Sequence, residues 1–168
     1  MYNVQHINTA TESELEHLYF LYKNVKSKNL SINTFDLPIA FFKGAVFSSD
    51  WEVVTYSLNA HKGEVTDKPI AVSIMYRNTL NQVYCPMIMG LDYDYLHTHR
   101  VYRQVMYQTV KRALELNREV TYLGFSANIE KGKFGAKPHP RRAYIQVKDT
   151  FKQEVLDGMS ISTVAKHY

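Results

Sequence analysis

Four side chains in the stretch "LDYDYLHTHR" could carry proton chemistry: Asp92, Asp94, His97 and His99. Imidazole titrates nearest neutral pH, so His97 or His99 could deprotonate an ammonium nucleophile. The His-x-His pair with neighbouring carboxylates is also a donor set for a metal ion, although its spacing is not that of an established zinc motif. The bland alternative is two loop histidines without chemistry. Arg100 and Arg103 follow at once, where a long helical pattern begins. Cations are disfavoured in a first helical turn by the dipole, and a bound anion there would convert the misfit into an attraction. The alternative is that both side chains extend into water.

A second basic feature lies downstream. Lys131, Lys133, Lys137, Arg141, Arg142 and Lys148 are opposed only by Glu130 between Asn128 and Lys148. "GKF" is not a P-loop, because Gly124 and Gly132 enclose seven residues rather than four and Phe134 replaces the required Ser or Thr. Lys131 is the lysine closest to the expected cleft, suited to a phosphate or a carboxylate; a plain surface lysine is the alternative. Ser126 lacks evident His and Asp partners for nucleophilic catalysis. The single cysteine, Cys85, sits in an apolar run, which excludes an internal disulfide and fits a reducing compartment.

These residues need elements to place them. "YNVQHI" reads as a short strand. Thr11 and Glu14 have capping-box spacing and open a helix carrying Leu15, Leu18, Tyr19 and Tyr22 to about Lys26. "FDLPIAFFKGAVF" reads as a second helix with Asp36 as its cap and Pro38 in its first turn. Strands are expected over Trp51–Leu58, Pro69–Arg77 and Gln82–Gly90, joined by links short enough for antiparallel hairpins. Pro86 cannot donate a ladder hydrogen bond, so the third of these strands must carry a bulge or an unpaired edge. "THRVYRQVMYQTVKRALELN" is the strongest helix, with Thr98 as candidate cap and a stripe of Val101, Val105, Thr109, Val110, Ala113 and Leu116. "REVTYLGF" follows as a strand, then a short helix from Ala127 to Phe134 ended by Gly135, then the strand "RRAYIQV". The fold class is α/β (α+β): antiparallel strands followed by a β-α-β crossover with a splayed pair. A splay leaves a ligand cleft at the carboxyl end of its first strand.

At 168 residues the chain suits one domain over 1–150, with 151–168 as a tail containing a short helix at most. Net charge is +4, too mild for a protein built around DNA. Tyr alone numbers 13, consistent with half-buried walls around polar clefts. No run is long enough to span a bilayer and no secretory leader is visible, so the expectation is cytoplasmic.

The stretches "GLDYDY", "VYRQVMYQTVKRALELNREVTYLGF" and "IEKGKFGAKP" resemble, in that order, the GNAT-type N-acyltransferase superfamily, and within it the Fem-like, BioF-associated branch. The matching positions are Tyr102, Gly124, Lys131, Gly135, Ala136 and Pro138. The resemblance implies an acyl-CoA, acetyl or longer, between the splayed strands. Its pantetheine would lie along Met87, Met89, Gly90 and Leu91, and its pyrophosphate near Arg100, Arg103 and Lys131. The usual glycine-bearing pyrophosphate loop is replaced by "DYDYLHTHR". The implied reaction is direct attack of a small-molecule amine on the thioester. The alternatives are a non-catalytic GNAT-like module serving a partner domain or a second copy, and a tRNA-dependent aminoacyl-transfer domain whose basic segment 131–142 would hold RNA phosphates.

Overall fold

A computed structural model of the chain describes residues 2–28, 36–59, 66, 68–78, 80, 82–124, 127–140, 150 and 154. The chain divides into two compact units, Met1–Lys137 and Pro138–Tyr168. The elements named below all belong to the first. The expected strand over "RRAYIQV" lies outside the described residues.

The order is β1 (Tyr2–Ile7), α1 (Glu12–Lys28), α2 (Ile39–Phe47), β2 (Trp51–Leu58), β3 (Ala71–Asn78), β4 (Val83–Leu91), a 3-10 turn (Tyr93–Tyr95), α3 (Val101–Glu115), β5 (Val120–Thr121) and α4 (Asn128–Gly132). The five strands form one sheet in sequence order. β1 to β4 are antiparallel neighbours, and β5 joins β4 in parallel. The parallel join is what α3 makes possible, since a parallel pair needs a crossover rather than a hairpin.

Alternation along the strands separates two cores. Val53, Val72, Ile74 and Ile88 face α1 and α2, where they meet Leu15, Leu18, Leu21 and Phe42. Val54, Tyr56, Ala71 and Leu91 face the other way, onto Val101, Val105 and Met106 of α3. Met106 is buried on α3, whereas Val110, counted in the sequence stripe, is only half-buried.

α1 begins as its capping box requires. The Thr11 amide donates to Glu14 Oε2 at 2.7 Å, and the Glu14 amide donates to Thr11 Oγ1 at 3.3 Å. Thr11→Ala is expected to cost about 1 kcal/mol, read as a lower urea midpoint with an unchanged slope.

Two expected caps are corrected. Asp36 does not cap α2, which starts after Pro38 without a side-chain cap; its carboxylate pairs instead with Lys26 at 3.1 Å and Lys23 at 3.5 Å. Thr98 does not cap α3, whose N-cap is Arg100. The Thr98 hydroxyl is used one turn earlier, donating to the Asp94 carbonyl at 3.3 Å and lying 2.9 Å from His99 Nδ1. β5 is also far shorter than "REVTYLGF" suggested: it ends at Thr121, before Gly124 turns the chain at φ +73°.

Candidate active site

β4 runs nine residues, but only Val83 and Tyr84 pair with β5, opposite Val120 and Thr121. From Cys85 to Leu91 its ladder among the described residues is with β3 alone. Backbone groups alternate sides along a strand, so every second residue of this stretch turns an amide and a carbonyl toward the side β5 has left. The β3 register shifts where Met75 faces Pro86 and Ile74 faces Ile88, which leaves Met87 as the extra residue of a bulge. Pro86 therefore marks an irregularity, as its missing N–H requires. Met87 is 57% exposed there. The Cys85 thiol lies 3.7 Å from Met87 Sδ, and burial pushes its pKa up, away from reactive thiolate character.

The other residues expected along β4 have different tasks. Met89 packs toward α3 and Leu91 is buried in the same cluster. The Leu91 carbonyl accepts from Asn24 Nδ2 at 3.4 Å, linking the end of β4 to α1. Gly90 faces α1 at such short range that a Cβ would lie 2.6 Å from the Tyr22 nitrogen and 2.7 Å from the Leu21 carbonyl carbon. Its side-chain void is filled by helix backbone.

Between β4 and α3 the chain makes a tight, self-bonded loop. Asp92 Oδ1 accepts from the Asp94 amide at 3.0 Å, which turns one of the acidic side chains onto its own backbone. His99 is half-buried: its carbonyl accepts from the Tyr2 hydroxyl at 2.9 Å, and its ring lies 5.4 Å from that of Tyr95. His97 is exposed. Among the described residues no three of His, Cys, Asp and Glu converge as metal ligands.

Arg100 occupies the left-handed region at φ 53°, exposed, and α3 starts after it with no side-chain cap on its first amides. An uncapped first turn presents unpaired N–H donors and a partial positive charge. Arg103 is less available. Its Nε donates to Glu130 Oε2 at 2.9 Å, and Nη2 reaches Oε1 at 3.4 Å, so it ties α3 to α4. Lys133 also pairs with Glu130. The hydrogen bonds from Lys133 and Arg103 hold the Glu130 carboxyl below the usual carboxylate range.

Lys131 is only 7% exposed, not the surface residue its short helix suggested. Its ammonium donates to the Gly124 carbonyl at 3.1 Å, pinning α4 to the chain just past β5, and burial pulls its pKa below the ordinary lysine value. Arg141, Arg142 and Lys148, the rest of the basic segment, lie outside the described residues.

One constellation at the root of the split was not read as a site in the sequence. Glu52 on β2 is 7% exposed and is approached by three side chains. Arg112 Nη2 donates to Oε1 at 2.7 Å and Arg112 Nε at 3.1 Å; Tyr84 donates its hydroxyl to Oε2 at 2.5 Å; His6 Nδ1 lies 3.2 Å from Oε1. Burial alone would push the Glu52 carboxyl up, but the Arg112 and Tyr84 hydrogen bonds and the Arg112 and His6 charges hold it below its usual range. Tyr84 is pushed far above an ordinary tyrosine, by burial first and by Glu52 second. Because Tyr84 is also the last β4 residue paired with β5, this cluster fixes β2, β4 and α3 at the point from which the two strands part. The signal available in the sequence was a lone acid in the apolar strand "WEVVTYSL", which had to be paired if buried.

No protein-family model matches the sequence, nor does any curated protein. Solved structures do match the fold. An aminoglycoside acetyltransferase from an uncultured soil metagenomic sample superposes with a TM-score of 0.55 at 10% identity, covering 88% of this chain and 97% of its own. The glucosamine-6-phosphate N-acetyltransferase of Arabidopsis thaliana gives 0.56 at 11% identity over 89% and 99%. A GNAT-family acetyltransferase from Staphylococcus aureus gives 0.53 at 17% identity over 80% and 79%. The parted β4–β5 pair, the bulge in β4 and the α3 crossover thus belong to a chain that has the fold of the GNAT acetyltransferases.

Proposed function

We propose that this chain is an N-acyltransferase that moves an acyl group from an acyl-CoA to a small-molecule amine by direct attack. The observation that carries the reading is the end of the β5 ladder after Tyr84, beyond which β4 backbone groups meet no described strand on that side. The amide-bearing pantetheine arm is a ligand that can take up such groups, as a strand would. At the far end, the uncapped first turn of α3 and the free-standing Arg100 suit the pyrophosphate. Lys131 and Arg103 contribute by holding α4 against that end rather than by offering free charges. Attack of an amine on a thioester needs no protein nucleophile; it needs a deprotonated amine, an aligned carbonyl and donors for the oxyanion. Backbone amides at the Met87 bulge are the candidate donors, and His97 and His99 the candidate bases. The placement within the Fem-like, BioF-associated branch rests on the sequence resemblance, as does a partner domain or second copy.

A second reading has its own support. The β4–α3 loop has no glycine to bring backbone close to a phosphate, and Arg103 is already bonded to Glu130. Both features suit a non-catalytic GNAT-like module.

Thermal shift against acyl-CoAs of several chain lengths separates the two. A ligand at 100 times its Kd adds about 2.7 kcal/mol, which raises Tm by roughly 5–11 °C in a chain of this size. Arg100→Ala is expected to weaken that binding about tenfold and leave the unliganded Tm unchanged. A flat response to every acyl-CoA would leave the non-catalytic module as the answer. Once binding is shown, loss of turnover in the His97→Ala, His99→Ala double variant with Kd retained would support the base assignment; full turnover would remove it.

A further inference from the structure

The α1-facing side of β1 and β2 carries a cleft of about 470 Å³, at the sheet edge opposite the β4–β5 split. Its floor is unusual for the inner face of a sheet. Asn3 stands opposite Ser57 and Gln5 opposite Thr55, so two successive rungs present four neutral hydrogen-bonding side chains side by side. The next rung, Ile7 with Val53, is apolar. Thr55 is 4% exposed and lines the cleft, onto which its hydroxyl opens.

The walls point to the same chemistry. His17 on α1 donates Nε2–H to the Pro69 carbonyl at 2.7 Å, since a carbonyl can only accept. Its Nδ1 is thereby left as an acceptor. The Glu14 carboxylate accepts from the Thr11 amide and hydroxyl at 2.7 and 2.8 Å, which holds its pKa down and keeps its charge. Lys68 at the rim is the remaining charged lining residue among those described. An ionic ligand would find one cation and one anion, with no net charge to hold it. A peptide would find its strand-pairing groups on the outer edge of β1, not on this face. Hydroxyls, amides and one apolar rung fit a neutral ligand with many hydroxyls and some CH surface.

We infer that this cleft binds a neutral polyhydroxylated ligand, a saccharide or polyol, with the Thr55 hydroxyl as a contact. It is separate from the acyl-transfer cleft by two to three strand spacings, on the order of 10–15 Å, and does not depend on that reading.

The test is an NMR titration of the ¹⁵N-labelled protein with maltose, glucose and sorbitol in turn, with a blocked glycine amide and inorganic phosphate as the other arms. The expected result is saturating shifts at the Asn3, Gln5, Thr55 and Ser57 amides with at least one of the three polyols. Thr55→Val should weaken that binding about fivefold or more and leave the unliganded Tm unchanged, because it removes the hydroxyl at constant shape. Thr55→Ser should keep the binding. Absence of shifts with all three polyols, equal affinity in Thr55→Val, or a stronger response to the blocked amide or to phosphate would overturn the assignment.

Discussion

Glu52→Gln is expected to destabilise the protein by about 3 kcal/mol, the largest effect of a single substitution that preserves shape. Breaking a buried ion pair by removing one partner costs about 3–5 kcal/mol, because the remaining charge stays buried and unpaired. The lower end applies, since the Arg112 side chain keeps 30% of its exposure and Glu115 lies 3.3 Å from its Nη1. In a chain of this size that is a Tm loss of roughly 6–12 °C. The double replacement Glu52→Leu, Arg112→Met should recover most of it, because no charge is then left behind. If the double variant is as unstable as the single one, the cluster is not held by its charge pairing. The same cluster fixes a pH dependence. The folded Glu52 carboxyl lies below the ordinary value of 4.5. Its contribution is therefore fully present above about pH 4.5 and is lost as pH falls through the folded value. The stability of wild type should fall in acid more steeply than that of the double variant, measured by urea unfolding at stepped pH.

Gly90→Ala is the second large expectation. A methyl at Gly90 would stand 2.6–2.8 Å from the Tyr22 nitrogen and from Leu21 atoms. Backbone cannot step aside as a flexible side chain can, so α1 must lift from β4 or β4 must bend. Overpacking typically costs 1–3 kcal/mol, and the upper part of that range, about 3 kcal/mol, is expected here. Urea unfolding should show a lower midpoint with an unchanged slope. A Gly90→Ala protein as stable as wild type would mean that α1 does not rest on β4 at this point. The consequence for function is positional. α1 holds one face of β4, through Gly90 and through Asn24 on the Leu91 carbonyl. A shifted α1 would move the part of β4 proposed to hold the pantetheine, so acyl-CoA affinity should fall together with stability.

Much of the architecture follows from local chemistry. Period-two patterning and short polar links specify β2 to β4 and their antiparallel order, because a one-residue slip would turn each buried face outward. The Thr11–Glu14 pair starts α1, and Pro86 predicts the β4 irregularity, since a missing N–H cannot be supplied by any fold. The α3 stripe requires a crossover and hence a parallel partner for β4. Those statements need only neighbouring residues.

Other assignments turned on groups far apart in sequence, and there the tertiary structure decided. Nothing near Glu52 in the chain says that Arg112, Tyr84 and His6 meet it. Gly90 reads as a strand-end glycine until α1 is seen crossing it. Lys131 reads as a phosphate or carboxylate contact or else as a surface lysine, and only the fold shows its ammonium on the Gly124 carbonyl. Asp36 and Thr98 have the composition of caps, but Lys26 and the Asp94 carbonyl offered them better partners. Local sequence states which hydrogen bonds and burials a segment can make. Only the packed chain settles which of the competing partners is within reach.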